Sequence, residues 1–129
     1  LDPEALQQAV CNIDNLEVEM DLVYADVNCE EFCMRKMFDT VIMNPPFGTR
    51  VKGADVAFLE SALKCTKHAV YSLHKTSTRQ FLEKKAKEWG TSFQVVAELR
   101  FDIPKMYKFH RKESADVQVD LVRLCKHDS

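Results

Sequence analysis

Two consecutive prolines directly behind a short apolar run set the first limit on this fold. In "FDTVIMNPPFGT", residues 38 to 49, the run Val41, Ile42 and Met43 suits a strand covered on both faces. Proline has no N–H to give a ladder and restricts the residue before it, so Pro45 and Pro46 must end the strand and stiffen the turn behind it. A buried strand that ends in a rigid turn carrying Asn44 and Phe47 implies a layered α/β sheet with ligands at its strand ends.

The other periodicities agree with that class. Asp2 caps a helix that has Pro3 at its first position, and Leu6, Ala9, Val10 and Ile13 share one face of it, ending near Asn15. Residues 20 to 27 read as a strand, with Leu22 and Tyr24 on one face and Val23 and Ala25 on the other. Residues 38 to 43 are the next strand. Asp55 caps a second helix carrying Val56, Leu59, Ala62 and Leu63. A strand over 69 to 73 follows, and Ser77 with Gln80 makes a capping box for a helix through Leu82, Ala86 and Trp89 that Gly90 ends. Trp89 belongs to the core face. Residues 93 to 99 and 117 to 124 are the last two strands, joined by a basic connector. The expected architecture is α/β, a mostly parallel sheet with a C-terminal antiparallel strand pair, without repeats or Gly/Ser linkers.

Composition narrows the classes. With 129 residues, 46% hydrophobic and 29% charged, the chain reads as one soluble globular unit. It has no apolar stretch of membrane-spanning length and no signal-peptide pattern at its start, so the expectation is an intracellular protein. The five cysteines are scattered and odd in number, which suits reduced thiols. Cys29 and Cys33 have no second Cys or His pair at ligand spacing, so no metal is expected. Charge is uneven: residues 1 to 31 hold nine acids and no Lys or Arg, whereas residues 100 to 112 hold five basic residues against one acid. A polyanion would meet the second region.

The turn has a chemical reading. An exocyclic amine on an aromatic base is a poor nucleophile because its lone pair is delocalised into the ring. Two fixed acceptors can draw its N–H groups out of plane: the Asn44 side-chain carbonyl and the Pro45 backbone carbonyl, which Pro46 helps to hold outward. Phe47 can stack on the base, a contact worth about 1 to 3 kcal/mol, once the base has been splayed or flipped out. The amine becomes positive as it takes a methyl group, so these dipoles favour the transition state and no general base is needed. The alternative is a plain turn.

These residues carry a resemblance. NPPF behind a strand resembles the signature of class I S-adenosylmethionine-dependent amino-methyltransferases. The wider strings "FDTVIMNPPFGT", "KGAD.AFL", "AVYSLHK.STR", "AELRFDIP..YKFH" and "VDL.R" resemble the methyltransferase-like five family, which methylates adenine N6 in small-subunit ribosomal RNA. The resemblance implies a Rossmann-like fold, S-adenosyl-L-methionine as cofactor, and Asn44, Pro45, Pro46 and Phe47 on the target adenine. It also implies that Asp26 and Val27, closing "LVYADV", hold the cofactor's adenine: the carboxylate accepts from its amine and the Val27 N–H donates to its ring. The residues alone leave Asp26 readable as a strand-end cap.

The family pattern starts with a cofactor strand, a glycine-rich loop and a second strand ending in a ribose-binding acid, none of which this sequence shows. "LDPEAL" matches the segment just behind that acid, so residues 1 to 129 are expected to be the C-terminal portion of one methyltransferase domain, inactive and weak in cofactor binding when isolated. In the connector, Lys105, Lys108, Arg111 and Lys112 interleave with Tyr107, Phe109 and His110, a pattern for phosphates and unpaired bases, with a solvated hairpin as the alternative. His74 reads as structural, with substrate contact as the alternative. If the strand order follows the family, residues 20 to 25, with Met20 and Ala25 at their ends, form a sheet edge. The resemblance implies that a small zinc-binding activator subunit docks there. A nuclear or cytoplasmic rRNA methyltransferase is thus the leading expectation. The others are an amino-methyltransferase for DNA or protein glutamine, and an inactive RNA- or partner-binding fragment.

Overall fold

The computed structural model describes residues 2–27, 38–46, 53–104 and 114–126. The chain divides into two compact units, residues 1–33 and 34–129.

In the first unit, helix α1 spans Pro3–Leu16. Asp2 caps it as expected, its carboxylate accepting from the Glu4 N–H at 3.0 Å. Glu17 closes it in the left-handed region, at φ 53°. Leu6, Ala9 and Ile13 are half-buried and Val10 is exposed. The strand expected over residues 20 to 27 does not form among the described residues. A strand is stable only inside a ladder, and alternation alone supplies none. The side chains there remain open, Met20 at 62% and Val23 at 58% exposure.

The second unit is a four-stranded sheet: β1 (Phe38–Met43), β2 (Thr66–Lys75), β3 (Thr91–Pro104) and β4 (Ser114–Lys126), in the order β1-β2-β4-β3. β1 and β2 are parallel, whereas β4 runs antiparallel to both β2 and β3. The sheet is therefore mixed, with the C-terminal antiparallel pair that the sequence implied.

Helices α2 (Ala54–Cys65) and α3 (Arg79–Glu88) connect the strands and supply one packed layer. Their Leu59, Ala62, Leu63, Leu82 and Ala86 meet Val70, Val122 and Leu124 of the sheet, with Val41 and Met43 packed against them. Ile42, on the opposite face of β1, is 80% exposed, so β1 is covered on one face only among the described residues. The uninterrupted apolar run had implied cover on both. Trp89 is partly buried against the core, as its helical phase required.

Two helix starts differ from expectation. Gly53, at φ 82°, caps α2 without a side-chain bond, and Asp55 lies inside the first turn instead of capping it. A short 3₁₀ turn, Thr76–Thr78, precedes α3, and the Thr78 hydroxyl donates to the Lys75 carbonyl at 2.7 Å, so the Ser77–Gln80 box does not open the helix. Gly90, at φ 69°, ends the last turn, its N–H donating to the Lys87 carbonyl. Among the described residues no helix is long and apolar enough to cross a membrane.

Candidate active site

The parallel register sets Met43 beside Ser72, so β1 and β2 finish at the same edge of the sheet. Asn44, Pro45 and Pro46 leave β1 at that edge, where parallel strands present ligand sites. Pro45 is buried, while Asn44 and Pro46 are exposed. A buried proline ring between two exposed neighbours anchors the turn and leaves the Asn44 amide open. Phe47 and residues 48 to 52 lie outside the described residues.

The same edge carries an arm. The β2–β4 ladder stops at Lys75 beside Val119, but β3 and β4 continue as a pair from Arg100 beside Gln118 to Pro104 beside Ser114. This ribbon extends past the end of β2 on the Asn44 side. At its foot, Thr76, Glu98, Leu99, Arg100 and Gln118 line a groove of about 210 Å³. The connector residues Lys105, Tyr107, Lys108, His110, Arg111 and Lys112 fall outside the described residues. A larger hollow, about 360 Å³ between Glu60, Trp89 and Lys126, lies at the opposite edge, so size does not mark the strand-end site.

Two polar networks hold this edge. His74 is fully buried between α2 and the sheet. Its Nδ1 lies 3.2 Å from Asp55 Oδ2 and its Nε2 lies 2.7 Å from Ser72 Oγ. Burial pushes the imidazole below its ordinary value, against the opposing pull of Asp55 and Asp120. The neutral ring therefore donates from Nδ1–H to Asp55, and Nε2 accepts the Ser72 O–H. In the second network, Arg79 donates through Nε and Nη2 to both oxygens of Asp120, at 2.7 and 2.8 Å, and through Nη2 to Glu98 at 2.7 Å. The Arg79 hydrogen bonds hold the buried Asp120 carboxyl below the usual range, and Thr76 donates to it at 2.8 Å. No buried side-chain N or O among the described residues lacks a partner.

Sequence reasoning missed both networks. Asp55 looked like a cap and Arg79 was given no role; the partners lie 19 and 41 residues away, and no local pattern signals that distance. His74, read as structural, does not face solvent and cannot touch substrate directly. Asp26, exposed, and Val27, half-buried, lie in the first unit. No group of three metal-ligating side chains occurs among the described residues. Cys11, Cys65 and Cys125 are free thiols.

No protein-family model matches the chain. The zebrafish (Danio rerio) rRNA N(6)-adenosine-methyltransferase METTL5 is 48% identical over 125 residues, which cover 95% of this chain and 60% of that protein. The Drosophila melanogaster rRNA N(6)-adenosine-methyltransferase Mettl5 is 49% identical over 126 residues, 95% of this chain and 59% of that protein. The solved structure of Pyrococcus horikoshii PH1948 superposes with a TM-score of 0.77 at 34% identity, covering 97% of this chain and 58% of that one. The chain thus has a Rossmann-like methyltransferase fold, in part, and over nearly all its residues it is homologous to the METTL5 rRNA adenosine methyltransferases, of whose length it spans about 60%.

Proposed function

We propose that the protein carrying this chain transfers a methyl group from S-adenosyl-L-methionine to the N6 amine of an adenosine in small-subunit ribosomal RNA. Residues 1 to 129 supply the C-terminal, substrate-binding portion of its methyltransferase domain. The observation that carries the reading is the Asn44-Pro45-Pro46 turn, leaving β1 at the edge where β2 also ends. The names of the curated relatives support the substrate class.

The chain's own residues fit the task. Exposed Asn44 offers a carbonyl to one N–H of the amine and Pro45 a backbone carbonyl to the other, with Phe47 stacking on the ring. Both oxygens are neutral dipoles, so they stabilise the positive nitrogen of the transition state without taking a proton. His74, buried and neutral, is no base for the reaction. An exposed carboxylate at Asp26 beside half-buried Val27 is a donor set suited to an adenine ring, and these two residues would hold the cofactor. When bound, the cofactor supplies the electrophilic methyl group. In sequence Lys105, Tyr107, Lys108, His110, Arg111 and Lys112 lie between β3 and β4, and the proposal gives them the contacts to RNA, in a nuclear or cytoplasmic rRNA enzyme. The stretch from Met20 to Ala25, exposed from Met20 to Tyr24, is the proposed seat of a small zinc-binding activator subunit.

The test is transfer of labelled methyl by the full protein to rRNA, DNA and glutamine peptides. rRNA adenosine should take the label, and Asn44→Ala should slow turnover by about 100-fold, the scale of losing one oriented acceptor or donor, with cofactor affinity within about threefold. Wild-type turnover by Asn44→Ala would overturn the assignment. Label on DNA or glutamine instead would move it to another amino-methyltransferase class.

A further inference from the structure

Ser72, His74 and Asp55 have the residue types of a nucleophilic triad, but Ser72 and His74 are at 0% exposure, where no substrate could reach them. Their connectivity has a different consequence. Ser72 is the ladder partner of Met43, the residue just before Asn44, and it also bonds His74. His74 in turn bonds Asp55, in the first turn of α2. Met43, directly before the turn, and Asp55, in the first turn of α2, are therefore both fastened to β2, through Ser72 and His74.

We infer that the Ser72–His74–Asp55 chain is a positioning device that holds the Asn44-Pro45 acceptors in their reactive orientation. The inference rests on the reading of that turn given above. Stability alone does not call for such a chain, because apolar side chains of equal volume commonly stabilise a core as well as a buried polar group or better. A fully satisfied polar chain adds direction: each bond has one donor, one acceptor and a narrow angle. Fastening Met43 and Asp55 to β2 orders the residues beside the turn before substrate arrives. Displacement of a carbonyl acceptor by an ångström costs rate and leaves RNA affinity, set by phosphate contacts elsewhere, nearly unchanged.

The test uses the full protein with rRNA and measures kcat, KM and cofactor affinity separately. His74→Leu, which keeps volume and removes both bonds, should lower kcat at least tenfold while KM and cofactor Kd stay within about threefold. His74→Asn keeps an N–H at the Nδ1 position for Asp55 and should recover kcat to within about threefold of wild type. A folded His74→Leu protein with wild-type kcat would overturn the inference, as would failure of His74→Asn to exceed His74→Leu. If His74→Leu does not fold, Ser72→Ala decides. A kcat loss of threefold or more at unchanged KM supports the device, and wild-type kcat overturns it. Asn44→Ala serves as the control: wild-type transfer that slows about 100-fold in this variant upholds the parent reading whatever happens at His74, and no transfer by wild type overturns both.

Discussion

An imidazole with no exposed surface is tolerated because every polar atom on it is matched. Asp55 faces it from α2, Ser72 from its own strand and Asp120 from β4, where it is the register partner of His74; Arg79 of α3 neutralises Asp120. Burial, the largest influence, keeps the ring neutral by lowering its value from 6.5. Between the lowered value and 6.5 the unfolded chain binds a proton that the native one refuses, so stability is fully present above 6.5 and is lost as pH falls through that window. For one proton the slope is at most about 1.4 kcal/mol per pH unit. Denaturant midpoints of wild type should therefore fall on going below 6.5 more steeply than those of His74→Asn; parallel curves would assign the acid sensitivity to other groups. Asn44 could be read from the sequence because strand, prolines and aromatic ring are adjacent. His74 could not be given its partner, because Asp55 also suited a local cap and only the folded sheet sets the two together.

Strands and helices were legible where they needed only their own pattern. The runs over 38 to 43, 69 to 73, 93 to 99 and 117 to 124 all lie in strands, yet β3 and β4 are longer than their apolar cores. Mutual pairing carries them on through polar residues such as Arg100 and Gln118. Residues 20 to 27 had the alternation but form no strand, which is the converse case: pattern without a ladder. The β3–β4 arm extends past the end of β2 at the edge where β1 also ends. Its foot is fixed by Arg79, which ties Glu98 of β3 and Asp120 of β4 to the start of α3. On the proposed reading the connector meets RNA phosphates, and each cation that does so releases counterions. Lys108→Ala and Arg111→Ala should each weaken RNA binding and reduce the slope of log affinity against log salt by roughly one. Titrations over a range of salt check this; unchanged slopes would leave the connector a solvated hairpin.

Across the whole molecule, charge and apolar exposure are divided between regions. Acids crowd residues 1 to 31 and bases crowd residues 100 to 112, so a polyanion such as the proposed RNA would favour the second over the first. The first region instead exposes Val18, Met20, Leu22, Val23 and Tyr24, open apolar side chains that the proposed activator would cover. An extended partner strand could pair with the backbone of residues 20 to 25 while Leu22 and Tyr24 fill pockets on one side. Three results are then expected with the proposed zinc-binding activator. Co-expression should raise the soluble yield of the full protein. Amide exchange over residues 20 to 25 should slow in the complex, because ladder hydrogen bonds protect N–H groups where side-chain contact alone does not. Leu22→Asp with Tyr24→Asp should weaken association by about tenfold or more, a loss of about 1.4 kcal/mol. Equal exchange rates over 20 to 25 with and without the activator would exclude strand addition there, whatever the change in yield.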